Sequence, residues 1–520
     1  MSAVPAAAPP SPLLVVRADA DSRIGCGHVM RALALAQEWR RQGGKVVFLG
    51  RIEQDSFRQR LAAEGCEVTP LPASHPDPRD VQTLRAWLQK KRGQDLWLAL
   101  DGYRFDDTYQ QALRADGWPL LIIDDYAHLP LYHADILVNP NAYASVLPYS
   151  TDADTLRLLG ARYALLRQEF SAPPPASAVT GEGPSPESHH RILVTMGGAD
   201  PDNAGARIVE ALLATKRHDL EVKILIGPLN PHRPALARQL ADAPFRTELL
   251  APVMEMVPLL RWTDLAITAA GSTCWEMASQ GVPMVVTVLA ENQERVAAAV
   301  AEYGLGVNLG WHHAFLDKQA AAAICDLLAS PAQRRQMSER GKRLLDGQGA
   351  ARVVRAMRLY HFTLRPATAD DCETVFAWAN DPETREVSFH QEAIAWPEHC
   401  QWFANRLADP ATLFSIAVGP AGESLGQVRF ALDGTGHALI SVGLSQEIRG
   451  LGLGSRLIRQ ACDQAMAIKG LHSIRALIKP ENTASRRAFA KAGFLELSTP
   501  TAVTVPQPII MEYTREGQRP

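Results

Sequence analysis

Cysteine is scarce and follows no pairing pattern. The 520-residue chain holds seven, Cys26, Cys66, Cys274, Cys325, Cys372, Cys400 and Cys462, an odd number with no CxxC among them. That spacing supports neither a disulfide framework nor a zinc site, and it makes a reducing, cytoplasmic setting the expectation. Excess charge of one sign is missing too. The 53 Lys and Arg nearly balance 56 Asp and Glu, for a formal charge of −3 at pH 7, which argues against a nucleic-acid partner recruited by bulk charge. No apolar run reaches the roughly 18 residues of a membrane span. The opening MSAVPAAAPPSPLL has neither the charged nor the apolar region of a signal peptide. No HExxH and no carboxylate cluster appears, so no metal is expected. Gly and Pro, 36 of each, stand near ordinary usage, which excludes a collagen-like or globally disordered chain. No 20–50-residue repeat is visible.

What is present is length enough for about three domains of roughly 150 residues. Apolar strand candidates LLVV from Leu13, KVVFLG, LWLAL at 96–100, LLIIDD at 120–125 and DILVN at 135–139 alternate with helical patterns, the first over about Val29 to Gln42. This is the signature of βαβ units around a parallel sheet. The stretch 171–190, SAPPPASAVTGEGPSPESHH, carries five prolines and almost no large apolar side chain, and reads as a solvated linker or insertion. A second α/β series follows: RILVTMGG at 191–198, EVKILIG at 221–227, DLAITAAG at 264–271 and PMVVTVL at 283–289, closed by a long basic helix over about 331–358. From about His361 the pattern changes to antiparallel strands around a Gly turn, then a Gly-rich loop, two helices and a strand between them. The expected organisation is therefore a lobe over 12–170, the linker 171–190, a second lobe over 191–358 and an α+β domain over 361–515.

Three motifs carry chemistry. In RADADSRIGCGHVMR, the residues Arg17, Asp19, Gly25, Gly27, His28 and Arg31 lie between a strand end and a helix start, where open α/β sheets bind ligands. His28 sits outside any apolar periodicity and is a candidate general base; packing or capping of the turn is the competing role. In ITAAGSTCWEMASQGVPMV, Gly271, Ser272 and Thr273 form a small turn at a helix start, which exposes N–H groups to a phosphate. Glu276 can accept from two sugar hydroxyls, and the same residues also fit an N-cap with a capping-box glutamate. TMGGAD at 195–200, with Gly198, supplies a second glycine loop on that lobe. In QEIRGLGLGSRLI, Arg449, Gly450, Leu451, Gly452, Leu453 and Gly454 join a strand to an amphipathic helix. A dinucleotide fold needs an acid at the end of the next strand. That strand ends in Lys479-Pro480, and the unit reads as antiparallel.

The first motif, with IDDYAHLPLYHADILVNPNAYA at 123–144, YALLRQEF at 163–170 and TAAGSTCWEMASQGVP at 268–283, resembles the UDP-sugar hydrolases of pseudaminic acid biosynthesis over about residues 12–350. These act on UDP-2,4-diacetamido-2,4,6-trideoxy-β-L-altropyranose. The second lobe is also similar to the nucleotide-binding lobe of the GT-B glycosyltransferase that makes lipid II. The resemblance implies a GT-B-like pair of Rossmann-like lobes, with His28 activating water, Arg167 near the diphosphate, Glu276 on the ribose and Asn292 on the substrate side. The R-x-x-G-x-G loop and PENTASRRAFAKAGF at 480–494 resemble the GNAT N-acetyltransferases over about 361–515. That implies acetyl-CoA as co-substrate, bound by Arg449–Gly454 with Asn482 and Ser485 near the pantetheine arm. WANDPETR (378–385) and WPEHCQWF (396–403) further resemble the acetyltransferase of the same pathway, which acetylates the 4-amino group of a UDP-4-amino-4,6-dideoxy sugar. Phe489 stands where many GNAT enzymes have a thiolate-protonating tyrosine. Together these resemblances imply a bifunctional enzyme in which acetylation precedes UDP release. A GT-B glycosyltransferase with a GNAT tail, and a hydrolase with a non-catalytic acetyl-CoA-sensing domain, are the alternatives.

Overall fold

The computed structural model describes residues 11–21, 24–25, 27–171, 189–253, 255–497 and 508–514. Most of the proline-rich stretch, 172–188, and Cys26 lie outside the described residues. The chain divides into two compact units, Met1–Val354 and Arg355–Pro520.

The first unit holds two parallel sheets. One is built from β1 (Leu13–Ala18), β2 (Lys45–Gly50), β3 (Glu67–Pro70), β4 (Leu96–Asp101), β5 (Leu120–Ile123), β6 (Ile136–Asn139) and β7 (Leu156–Leu159) in the order β3-β2-β1-β4-β5-β6-β7. The other is built from β8 (His190–Thr195), β9 (Leu220–Leu225), β10 (Arg246–Leu250), β11 (Leu265–Ala269), β12 (Met284–Val288) and β13 (Gly306–Trp311) in the order β10-β9-β8-β11-β12-β13. In both sheets the order reverses beside the first strand, so β1 and β4, and β8 and β11, flank a topological switch point, where such sheets bind ligands. The central strands read as unbroken apolar runs because helices cover both faces; β1, β4, β5 and β6 are buried at every position. The strands Glu67–Pro70, Leu156–Leu159, Arg246–Leu250 and Gly306–Trp311 were not marked by the sequence. All four lie at or next to a sheet edge, and all are partly exposed. Their side chains therefore lack the continuous apolar character of a buried strand.

Two expectations need correction. The basic helix over 331–358 is two helices, Pro331–Leu344 and Gly349–Leu359. The chain turns extended at Leu345, φ −128 and ψ 94, which ends the first helix, and Gly347 in the connection takes φ +71. In the second unit, β14 (Thr363–Pro366), β15 (Thr412–Val418), β16 (Ser424–Leu432), β17 (His437–Leu444), β18 (Ser473–Ile478), β19 (Leu495–Glu496) and β20 (Ile509–Thr514) pair in the order β14-β15-β16-β17-β18-β20-β19. This sheet is not wholly antiparallel: β17 and β18 run parallel over His437↔Ser473 to Leu439↔Arg475. The crossover helix Leu453–Lys469 between them makes that direction possible. Only three residue pairs join the two strands, so they part toward the end of β17 that leads into the 449–454 loop.

The helix Pro331–Leu344 braces the short helix Thr273–Ser279 through Gly341. A Cβ on Gly341 would stand 2.4 Å from the carbonyl oxygen of Ala278. Gly341→Ala forces these two helices apart. It should cost about 1–3 kcal/mol of stability, the usual scale of overpacking, read as a lower midpoint in urea unfolding of the first unit. An unchanged midpoint would show that the contact is not tight.

Candidate functional site

The helix Gly27–Arg41 starts directly after the Gly-rich turn, and its first turn aims His28 and Arg31 at the carboxyl ends of β4 and β5. His28 Nδ1 meets the Asp101 carboxylate at 2.6 Å. A carboxylate only accepts, so Nδ1 carries the proton and Nε2 is left as the acceptor. Arg31 locks the same carboxylate with Nε at 2.8 Å and Nη2 at 2.7 Å, and reaches Asp125 with Nη1 at 2.6 Å. Asp125 also accepts from the Tyr103 hydroxyl at 2.6 Å and the Asn141 amide at 2.8 Å. Burial alone would raise the Asp125 pKa. The Arg31 charge and the Tyr103 hydrogen bond overcome it and hold the carboxyl at about 2. Burial, then the Asp125 charge, push the Tyr103 phenol well above its usual range, so it remains a donor. The Tyr103 ring stands edge-on to His28 at 4.6 Å.

Arg17 and Asp19, from the same motif, do a different job. Arg17 is fully buried, is paired with Asp19 and Asp80 and lies 4.8 Å from the centre of the Phe105 ring. It braces the lobe and does not face the cavity that His28 lines.

The other wall comes from the second lobe. A cavity of about 230 Å³ is lined by His28, Tyr103, Ser272, Glu276 and Asn292, among others, and Gly271 also borders it. Thr273 and Gly198 are not in its lining. Gly198 packs instead on Gly227, where a Cβ would meet its carbonyl oxygen at 2.3 Å. The capping box expected at Ser272 does not form: no side chain caps the helix Thr273–Ser279. Glu276 is drawn away to Arg167, whose Nη2 lies 3.1 Å from Oε1. Arg167 is further paired with Glu169 at 2.7 Å. Arg167 and Glu276 are thus brought together, and the arginine charge is already shared by two carboxylates. Trp275, one residue before Glu276, donates its indole N–H to Asn141 at 2.9 Å. The helix Thr273–Ser279 is thereby wired through Asn141, Asp125, Arg31 and Asp101 to His28. Asn292 reaches the Tyr103 hydroxyl.

Asp101, Tyr103, Asp125, Asn141 and Trp275 were missed as site residues. Asp101 and Asp125 stand at or just past the carboxyl ends of β4 and β5, and that placement was the available signal.

In the second unit, Gly450 and Gly452 take φ +70 and +78, and the helix Leu453–Lys469 begins with no side-chain cap and no acid in its first turn. Its leading N–H groups therefore suit an anion such as a pyrophosphate. The Arg449 side chain turns away from that loop. It binds Asp381 at 2.6 Å, Glu383 at 3.1 Å and the Thr384 hydroxyl at 3.0 Å. Asn482 caps the helix Thr483–Ala492 by accepting from the Ser485 N–H at 3.0 Å. Phe489 is buried edge-on against Phe494 at 4.9 Å.

Residues 191–349 match the glycosyltransferase family 28 C-terminal domain, and residues 361–495 match the acetyltransferase (GNAT) domain. The chain joins a glycosyltransferase-type lobe to a GNAT domain. It is also homologous to the UDP-2,4-diacetamido-2,4,6-trideoxy-β-L-altropyranose hydrolase of Campylobacter jejuni, with 24% identity over 302 residues, 56% of this chain and 98% of that one. An uncharacterized protein of Methanocaldococcus jannaschii is 21% identical over 410 residues, 76% of this chain and 78% of its own. The crystal structure of MurG from Acinetobacter baumannii superposes with a TM-score of 0.48 at 18% identity, covering 67% of this chain and 99% of that one. Among the described residues no helix is long and apolar enough to cross a membrane.

Burial raises the Glu276 pKa above its ordinary value, and Arg167 only partly offsets that. A carboxyl whose pKa is raised in the folded state contributes stability at low pH and loses it as pH climbs through the folded value. Glu276→Gln removes that loss. The variant's melting temperature relative to the parent's should therefore rise as pH goes from about 4.5 toward 8. A difference that shrinks over this range would mean that the Arg167 pair outweighs desolvation.

Proposed function

We propose that the first unit is a UDP-sugar hydrolase whose base is His28, and that the second acetylates the amine of its precursor, within pseudaminic acid biosynthesis. The observation that carries the reading is the His28–Asp101 pair at 2.6 Å, on a cavity shared with Ser272 and Glu276. In this reading residues 12–170 and 191–358 are the two lobes of the hydrolase, 171–190 links them, and 361–515 is the acetyltransferase.

Water attacks the anomeric carbon of the bound sugar, His28 Nε2 takes its proton, and the C–O bond to the diphosphate breaks. UDP leaves without a strong general acid, and the attack from the opposite side inverts the centre. Asp101 holds the ring in the tautomer that leaves Nε2 free and stabilises the imidazolium that forms. Gly271 and Ser272, which line the cavity, receive the diphosphate, Glu276 the ribose, and Asn292 with Tyr103 the sugar. In the second unit the sugar amine attacks the thioester carbonyl of acetyl-CoA, an amide forms and the C–S bond breaks. Residues Arg449–Gly454 hold the pyrophosphate by main chain, with Asn482 and Ser485 beside the pantetheine arm. The attacking amine gives up its proton to a base or a water relay, and since Phe489 has no proton to give, another group or solvent protonates the departing thiolate.

His28→Ala should cut UDP release about 10²-fold or more, the usual scale for losing a general base. CoA release from acetyl-CoA and a UDP-4-amino sugar should be unchanged in the same protein. Near-normal hydrolysis removes His28 from the mechanism, and no acetyl transfer by the parent chain would favour a sensing role for the second unit.

The order of steps is testable on the first unit's activity alone. With acetyl-CoA omitted, the full chain should hydrolyse the diacetamido UDP-sugar and discriminate against the 4-amino precursor. A missing methyl contact is worth only about 1–3 kcal/mol. Strong discrimination therefore rests on amide partners left unpaired and on the cost of desolvating an ammonium. Equal kcat/KM on the two sugars would overturn the order and leave the hydrolase reading standing.

A further inference from the structure

Arg429, in the middle of β16, is a half-buried guanidinium with no carboxylate partner among the described residues. Its one hydrogen bond goes to the Ser441 hydroxyl at 3.3 Å, and it lies over the Trp402 ring at 4.9 Å. Every other arginine treated above is neutralised: Arg17, Arg31, Arg167 and Arg449 each meet two carboxylates. Burial lowers the Arg429 pKa, and the nearby Arg406 charge lowers it further. A buried charge without a counter-ion is costly, and the cost is recovered when an anion binds.

The surroundings say which anion. Arg429 shares its face of the sheet with Gln427, two residues away on the strand, whose buried carbonyl oxygen has no hydrogen-bond partner. The same face is covered by the helices Cys372–Ala379 and Trp396–Ala408. Ser441, opposite Arg429, lies three residues before the end of β17, roughly 10 Å at 3.3 Å per residue from the strand end that leads toward the 449–454 loop. That loop is tied to the same helical layer through Arg449 and Asp381. Trp396, His399 and Trp402 form a row along one helix from Arg429 to the exposed Trp396. A cation at the inner end and an open aromatic face at the outer end match a phosphate attached to a planar base.

We propose that Arg429 binds the diphosphate of the acetyl acceptor and so selects a nucleotide-linked amine over a free amino sugar. This rests on the acetyltransferase reading above and adds a residue and a selection rule to it. A guanidinium suits this role because its planar fork pairs with phosphate oxygens.

The test uses the full chain, with Arg429→Gln and Arg429→Lys, and reads CoA release, which only the second unit produces. With a UDP-4-amino-4,6-dideoxy sugar as acceptor, Arg429→Gln should raise the acceptor KM about 10-fold or more, which is about 1.4 kcal/mol. Arg429→Lys should raise it less, and the acetyl-CoA KM should stay within about twofold. UDP should inhibit the parent competitively against the acceptor and inhibit Arg429→Gln at least about 10-fold more weakly. An unchanged acceptor KM, or an acetyl-CoA KM that rises in step with it, overturns the proposal while leaving acetyl transfer established. If the parent transfers acetyl to no UDP-amino sugar, the acetyltransferase reading fails instead. Hydrogen exchange over residues 425–432 then decides the binding claim. Slowing by UDP in the parent and not in Arg429→Gln supports it, and no slowing in the parent overturns it.

Discussion

The site of the first unit depends on one guanidinium. Arg31 sits between Asp101 and Asp125 with contacts of 2.6–2.8 Å, and each carboxylate has a second task. Asp101 fixes the His28 ring, and Asp125 gathers Tyr103 and Asn141. With Arg31 in place the buried Asp125 carboxyl stays charged, and the Asp101 carboxylate is held where it accepts from His28 Nδ1. The parallel sheet supplies the placement, because β4 and β5 end side by side and bring residues 101 and 125 to one edge. The Asn141–Trp275 hydrogen bond extends the same network into the helix that follows the Gly-Ser-Thr turn. His28 and the helix Thr273–Ser279 are therefore positioned by one connected set of polar contacts, in which a change at either end is felt at the other.

Much of this was legible before any coordinates. The long apolar strands, the Gly-rich turns and His28 follow from local pattern, since buried parallel strands and glycine turns leave unambiguous marks in a sequence. The edge strands did not, because half-exposed strands carry mixed side chains. The partners of His28 were hidden for another reason. Asp101 is 73 residues from His28 in the chain, and only strand order makes them neighbours. The same holds for Glu276. Its spacing from Ser272 suggested a local cap, and the structure instead engages it with Arg167, 109 residues away. A local cap is worth only about 1 kcal/mol, and sequence spacing alone does not register a competing partner that the fold brings in from a distance. The break at Leu345 and the parallel β17–β18 pair show the same limit: helix periodicity does not register a single extended residue, and strand patterns do not encode direction.

Arg429 and the arginines of the first unit's site handle positive charge in opposite ways. In the first unit, Arg31 and Arg167 are each held between two carboxylates. Neither guanidinium offers a full charge to a ligand, and on the proposed reading a diphosphate there relies on main-chain N–H groups at the Gly-Ser-Thr turn. Such a site holds a leaving group without binding it too tightly. On the proposed reading UDP is a product there and has to depart, and uniform tightening of a product complex slows release without speeding chemistry. In the second unit Arg429 has no carboxylate partner among the described residues and lies against Trp402. There, on the proposed reading, the diphosphate is a handle far from the reacting amine and is the same in substrate and product. A full charge then adds selectivity for the acceptor without opposing any bond that must break. The contrast follows from where the scissile bond lies relative to the phosphates: adjacent to them in one reaction, across the sugar ring from them in the other.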